Sequence, residues 1–232
     1  MSLISAEGRR LRYARSPHVA ASTRSSDRWR KRTLDLAGSL VLLAVFAIPM
    51  LIVGLLVRLT SPGPAIFCQV RLGKDEQPFT LFKFRTMQQG SPEDIHRAFV
   101  EQQLRSPDGG SKAGGLCKLT SDPRITPLGR FLRRASLDEL PQLFNVLRGQ
   151  MSLVGPRPSL PWEAELFPSD YRGRFAVPPG ITGLWQTSGR SRLTMSQALR
   201  LDVEYVTQWT LRRDVLILLR TIPAVLRCSD AR

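Results

Sequence analysis

The sequence predicts a mostly helical α+β protein. It has an N-terminal membrane helix, re-entrant or spanning, then a cytoplasmic globular domain with a short β-hairpin and interfacial helices. Three observations predict this. Residues 36–57 form a run of 22 uncharged residues, roughly 33 Å long as a helix and enough for the hydrocarbon core. Behind it, two short β-rich segments, residues 65–72 and 78–87, flank a turn. Further on, apolar residues recur at three- and four-residue spacing, the mark of helices with one buried face.

The chain divides into a basic disordered arm (1–32), a membrane helix broken at Pro49 (33–59) and a cytoplasmic domain (60–232). Its formal net charge of +15 calls for an anionic partner: phospholipid, nucleotide or nucleic acid. Aromatic residues make up only 7% and do not interleave with the basic ones, which argues against nucleic acid held by base stacking. Cys68, Cys117 and Cys228 are far apart, form no metal spacing or disulfide framework, and suit a reducing cytoplasm. With His18 and His96 as the only histidines, a histidine-rich metal site is not expected.

The arm carries nine Arg or Lys residues against Glu7 and Asp27. It develops no apolar face, so it reads as a solvated tail or a contact with anionic membrane lipid. Within the apolar run, Pro49 removes the backbone bond to Val45 and favours a kink. Both flanks are basic, with Arg28, Arg30, Lys31 and Arg32 before the run and Arg58, Arg71 and Lys74 after it. The positive-inside tendency then keeps both ends in the cytoplasm. A helix that enters one leaflet and returns satisfies this; a full span is the alternative.

Thr60-Ser61-Pro62-Gly63-Pro64 is a breaker. The hairpin turn falls at Gly73-Lys74-Asp75-Glu76-Gln77, residues 88–105 read as a polar helix, and the glycine-rich residues 106–115 as a flexible loop. No phosphate-cradling glycine motif of the common nucleotide folds is present. Residues 195–206 read as an amphipathic helix. Residues 211–226 are too short to span, which leaves an interface-lying helix near Trp209 or a core helix.

The chain is organised around Ser136-Leu137-Asp138-Glu139-Leu140-Pro141-Gln142-Leu143-Phe144-Asn145-Val146-Leu147-Arg148-Gly149. Leu137, Leu140, Phe144 and Leu147 would line one face of a single helix. Asp138 and Glu139 then project about 100° apart and cannot both enter the core. An acidic pair at a helix start is the structural alternative. The surroundings favour chemistry: between residues 122 and 157, six arginines stand against three acids, and the guanidinium fork suits phosphate. Arg157 sits between Pro156 and Pro158 on a rigid backbone.

Four motifs occur in order: Lys83-Phe84-Arg85-Thr86-Met87, Ser136-Leu137-Asp138-Glu139-Leu140-Pro141-Gln142, Leu153-Val154-Gly155-Pro156-Arg157-Pro158, and Pro179-Gly180-Ile181-Thr182-Gly183-Leu184-Trp185-Gln186 with Gly189-Arg190. With these, residues 31–226 resemble the bacterial sugar transferase family, the small monotopic polyprenyl-phosphate sugar-1-phosphate transferases. The length matches the compact members made of the catalytic unit alone. One departure is Ile48-Pro49 where some members carry Ser-Pro; any hydroxyl at the kink would come from elsewhere, such as Ser39.

The resemblance implies a membrane enzyme acting in exopolysaccharide assembly at the inner membrane. Asp138 would attack the β-phosphate of a UDP-sugar and expel UMP, and polyprenyl phosphate would then take the phosphosugar from the carboxylate. Mg²⁺ (or Mn²⁺) and arginines are expected to neutralise the phosphates. Glu139 would hold the metal or tune Asp138, with the ligating carboxylate left open. Arg133 and Arg157 match family arginines and are the expected phosphate contacts; Gly183, Gln186 and Arg190 are weaker expectations for the nucleotide. The expected partners are the UDP-sugar, the polyprenyl phosphate and anionic lipid, with a homodimer as an option and no nucleic acid.

Overall fold

The structure, a computed structural model, describes residues 25–88, 97, 100–101, 124–189 and 193–226. Expectations for residues 1–24, most of 88–105, the 106–115 loop, both histidines, Cys117, Cys228 and Arg190 lie outside the described residues. Within them the chain is mostly helical, with two two-stranded sheets.

Helix α1 runs from Ser25 to Thr60. It is long and apolar enough to cross a membrane, with a mean hydropathy of 3.0 over its most apolar stretch. Two expectations change here. The last eight residues of the expected disordered arm, 25–32, are helical, because Lys31 and Arg32 find acceptors on the globular part. The helix also runs through Pro49 without interruption, so the expected break there can be only a bend within one helix and not a gap between two. Ser39 contributes nothing at that proline: it is fully buried and lies ten residues earlier, roughly 15 Å along the axis.

Both ends of α1 are tied to the same globular body. At the first end, Lys31 Nζ donates to Asp214 Oδ2 (2.7 Å) and to the Val154 carbonyl (3.0 Å). Arg32 donates to the carbonyls of Val146 (2.7 Å) and Leu147 (2.8 Å), and Asp35 Oδ1 accepts from Ser152 Oγ and the Leu153 N–H, both at 2.9 Å. At the other end Arg85 donates to the carbonyls of Ser61 (2.8 Å) and Pro62 and to Ser61 Oγ. Val53 and Val57 are buried there against Phe84 and Leu132. Between these attachments the helix turns apolar side chains outward, with Val45, Ile48 and Leu51 each more than 60% exposed.

The expected hairpin forms. β1 (Ile66–Leu72) pairs antiparallel with β2 (Pro78–Phe84), Phe67 opposite Lys83. Its tip places Asp75 and Glu76 in left-handed backbone, a conformation few non-glycine residues adopt. Glu76 is held by Arg172 at 2.6 Å. Asn145 covers the outer edge of β2 with a fully buried side chain: its Oδ1 accepts from the Phe82 N–H (3.1 Å) and its Nδ2 donates to the Thr80 carbonyl (2.7 Å). The pair of bonds imitates a neighbouring strand.

Helix α2 (Pro127–Arg134) starts with Thr126, whose hydroxyl accepts the Gly129 N–H, and with proline in the first turn. It rests directly on the backbone after β2: a Cβ at Gly129 would lie 2.1 Å from the Thr86 carbonyl oxygen. The single helix expected over residues 136–149 is instead two pieces. Ser136 adopts left-handed backbone (φ 55°), a 3₁₀ turn covers Leu137–Glu139, and α3 (Gln142–Leu147) begins after Pro141. Pro141 cannot donate a helical bond to Leu137, and Phe144, expected on the buried stripe, is 46% exposed.

β3 (Ser152–Val154) and β4 (Gly180–Thr182) form a parallel pair. The short α4 (Pro161–Glu165) and a 3₁₀ segment at Ser169–Ala176 lie between them. α5 (Leu184–Ser188), α6 (Met195–Thr207) and α7 (Leu211–Leu226) complete the chain. α6 opens with the reciprocal bonds of Thr194 and Gln197. α7 buries Asp214 and Ile217 and exposes Val215, Leu219 and Ile222 on one stripe. The main core joins Phe79 and Leu81, Leu143 and Val146, Leu153 and Val154, and Tyr205, Val206 and Ile217.

The Asp214 carboxylate is fully buried and also accepts from the Tyr205 hydroxyl (2.7 Å) and Trp209 Nε1 (3.1 Å). Asp214→Ala would leave Lys31 charged and unpaired, a loss of about 3–5 kcal/mol. Denaturant unfolding in detergent should show that drop, while the double replacement Lys31→Met with Asp214→Leu should regain most of it.

Candidate active site

Asp138 is nearly buried, at 8% exposure, and Glu139 beside it is half-buried. The left-handed Ser136 ends α2 and turns the chain so that this 3₁₀ turn faces the end of β2. Arg133, on the last turn of α2, donates from Nε to Thr86 Oγ1 at 2.9 Å. Thr86 stands three residues after Lys83, so the close seat of α2 at Gly129 fixes the spacing between Arg133 and Lys83.

Lys83 is the centre of the arrangement. It lies on the same hairpin face as Phe67, its ammonium 5.0 Å from that ring, and as the buried Arg71, Phe79 and Leu81. Burial pushes its pKa down to about 8, helped by the charges of Arg71, Arg133 and Arg157 and opposed by Asp138. One lysine therefore feels both expected phosphate arginines and the expected nucleophile. The sequence reading passed over Lys83 and Arg71. The signal was present in Phe79-x-Leu81-x-Lys83, since strand alternation puts the lysine on the inward face.

Arg157 lies on the turn after β3, held by its backbone. The Val154 carbonyl accepts from Lys31 and from the Tyr205 hydroxyl (3.0 Å), the Arg157 carbonyl from Arg174 (2.7 Å) and the Pro158 carbonyl from Arg71 (3.1 Å). Burial, with the nearby Asp214 carboxylate, holds the Tyr205 hydroxyl far above its ordinary pKa, so it serves as a donor. Gly183 and Gln186 stand behind this turn. A Cβ at Gly183 would meet the Gly155 oxygen at 2.4 Å, and Gln186 Nε2 donates to the Ile181 carbonyl at 3.0 Å. Gly180 and Gly155 are closer still, 2.0 Å from a built Cβ to the Gly155 nitrogen, so two of the motifs meet backbone to backbone.

No group of three or more His, Cys, Asp or Glu side chains able to hold a metal occurs among the described residues. The adjacent pair Asp138 and Glu139 nevertheless fits Mg²⁺, which takes one or two carboxylates plus the oxygens of a substrate phosphate and water. A pair of carboxylates ringed by cations can accept a diphosphate with its metal, and a carboxylate among them can act as a nucleophile toward phosphorus.

The family model described as "Bacterial sugar transferase" matches residues 26–228. The "Galactosyl transferase CpsE" of Streptococcus agalactiae serotype III is 39% identical over 87% of the chain and 43% of its own length. The "Exopolysaccharide production protein ExoY" of Rhizobium meliloti is 37% identical over 90% of the chain and 91% of its own. The "UDP-glucose:undecaprenyl-phosphate glucose-1-phosphate transferase" of Caulobacter vibrioides is 40% identical over 87% and 72%. The chain thus spans less than half the length of some of the curated relatives it matches.

Lys83 carries its charge only below its lowered pKa. Affinity for a diphosphate should therefore fall as the pH rises through about 8. Calorimetric titration with pyrophosphate and Mg²⁺ across pH 6.5–9.5 should reveal the fall, and Lys83→Arg should flatten it.

Proposed function

The chain belongs to the bacterial sugar transferase family, and on that footing we propose that it transfers a sugar-1-phosphate from a UDP-sugar to polyprenyl phosphate and releases UMP. The observation that carries this reading is Lys83, whose charge is felt by the nearly buried Asp138 and by the cations Arg71, Arg133 and Arg157. A diphosphate brings the negative charge such a cluster needs. Adjacent carboxylates on one turn also do not suit a glycosidase, whose two groups face each other across the scissile bond.

Asp138 Oδ attacks the β-phosphorus of the donor. The bond from that phosphorus to the bridging oxygen breaks, UMP leaves with its electron pair, and the phosphosugar remains on the carboxylate as an acyl phosphate. A phosphate oxygen of the lipid then attacks the same phosphorus and expels the Asp138 carboxylate, giving polyprenyl-diphosphate sugar. Arg133 and Arg157 hold the equatorial oxygens, and Lys83 faces the charge that grows on the leaving phosphate. Glu139 is the second carboxylate available to Mg²⁺, which supplies charge neutralisation when bound. The names of the relatives divide between galactose and glucose, which supports a UDP-hexose as the donor.

Re-entrant membrane seating accords with the two attachments of α1. Lys31 and Val57 are 26 residues apart, about 39 Å in a straight helix, yet both ends rest on one globular body. A simple span would put those ends on opposite faces of the bilayer. The exposed apolar stripe of α7 is suited to lie in the same interface. Basic flanks at both ends favour the cytoplasmic face of the inner membrane and contact with anionic lipid.

Purified protein given Mg²⁺, polyprenyl phosphate and a panel of UDP-sugars should release UMP with one donor, and Asp138→Asn should lower the rate at least 1000-fold. Release of UDP would overturn the mechanism. Single cysteines at Arg30 and Thr60, in a chain with its three native cysteines replaced by serine, should be labelled from the same side of sealed vesicles. Labelling from opposite sides would establish a span.

A further inference from the structure

We infer that the buried Arg174–Asp202 pair is a positioning device whose task is to aim the Arg157 side chain at the substrate phosphate. The inference deepens the transferase reading and rests on it. Both side chains are 3% exposed. Arg174 donates to Asp202 Oδ2 from Nη2 (2.6 Å) and from Nε (3.1 Å), to Ser159 Oγ from Nη1, and to the Arg157 carbonyl from Nη2 (2.7 Å). Its guanidinium lies 5.2 Å from the Phe167 ring and 5.3 Å from the Phe175 ring. Every nitrogen of this arginine is therefore engaged within the protein, and its plane is fixed by two aromatic rings.

Asp202 is buried in turn, and its other oxygen, Oδ1, has no hydrogen-bond partner. Burial raises its pKa to about 6, while Arg174, the Arg157 backbone N–H and the Arg157 charge favour the ionised form. The Arg157 carbonyl is thus held by Arg174, which Asp202 in turn fixes through Oδ2. Pro156 and Pro158 restrict the same stretch covalently. Arg174 and the two prolines thereby hold the backbone from which the Arg157 side chain extends. The cavity beside the pair, bordered by Arg157, Ser159, Trp185 and Met195, is about 30 Å³, room for about one water and far too small for a nucleotide. Arg174 and Asp202 consequently act through Arg157 and not on the substrate.

Stability alone is a poor reason for this arrangement. A buried ion pair recovers its desolvation cost only with full hydrogen bonding, and apolar residues of the same volume often serve as well. A fixed direction for one side chain is something apolar packing does not supply at that carbonyl. Misplacement of a phosphate-binding group by about 1 Å can cost roughly 100-fold in rate.

The test is a double-mutant cycle on UDP affinity in the presence of Mg²⁺, measured by titration calorimetry on full-length protein in detergent. Asp202→Asn, which keeps the shape and removes the charge, should weaken UDP about 10- to 100-fold, as Arg157→Ala does. The double variant should be no weaker than Arg157→Ala alone. Ser159→Ala, which removes one acceptor of Arg174 with little effect on the core, should show the same dependence on Arg157 with a smaller loss. Additive losses would overturn the inference, because the pair would then act on the fold at large. So would unchanged UDP affinity in Asp202→Asn, or wild-type protein that does not bind UDP. UMP release by the same samples tests the transferase reading separately, since coupling in the affinities without turnover sinks that reading alone.

Discussion

Three cations hold a 36-residue apolar helix against one globular body, and the rest of the molecule depends on that clasp. Lys31 and Arg32 grip one end of α1 and Arg85 the other. Their acceptors are backbone carbonyls, the Ser61 hydroxyl and the buried Asp214 carboxylate, and leaving a buried polar group without a partner costs more than a typical hydrogen bond contributes. Each attachment also lies on a chain segment that leads to the site. Arg85 sits between Lys83 and Thr86, the partner of Arg133. Lys31 reaches the Val154 carbonyl, three residues before Arg157. The hydrophobic helix is thereby a brace joining the two sides of the cation cluster.

The cluster poses an electrostatic problem that substrate solves. Burial first, and then the charges of Arg71, Arg133 and Arg157, lower the pKa of Lys83, and one nearby carboxylate offsets only part of that. Like charges gathered this closely are stable because the fold fixes them elsewhere: Arg71 by the Pro158 carbonyl, Arg133 by Thr86, and the Arg157 backbone by Arg174. Fixed cations need little reorganisation when phosphate charge shifts between oxygens, which is where electrostatic catalysis gains most.

Much of this was legible in the residues. The apolar run, the hairpin around Gly73 and both C-terminal helices follow from local periodicity and turn chemistry, and they fall where expected. The reading failed where long-range contacts decide. Nothing local separates residues 25–32 from a solvated basic tail; Lys31 and Arg32 become helical partners only because Asp214 and the Val146 carbonyl meet them. The stripe Leu137, Leu140, Phe144 and Leu147 mimicked one helix, and the left-handed Ser136 and Pro141 outweighed it. Arg133 and Arg157 were visible through motifs. Lys83 was hidden because a lysine on a strand reads as solvent-facing until the opposite face of the hairpin is known to be covered.

The bond from Lys31 to Asp214 spans 183 residues of sequence. At a synthesis rate of about 5–20 residues per second, α1 leaves the ribosome roughly 10–40 s before its partner on α7 exists. Until residues 146–154 follow it, the first end of this apolar segment has none of its other partners either. With the membrane seating proposed above, the bilayer would be the solvent available to it, and insertion would precede completion of the fold. The half of the site that depends on the Val154 carbonyl then closes last. A chain cut short before Asp214 would lack this closure, so under the proposed seating the order of biosynthesis would set when the site is complete.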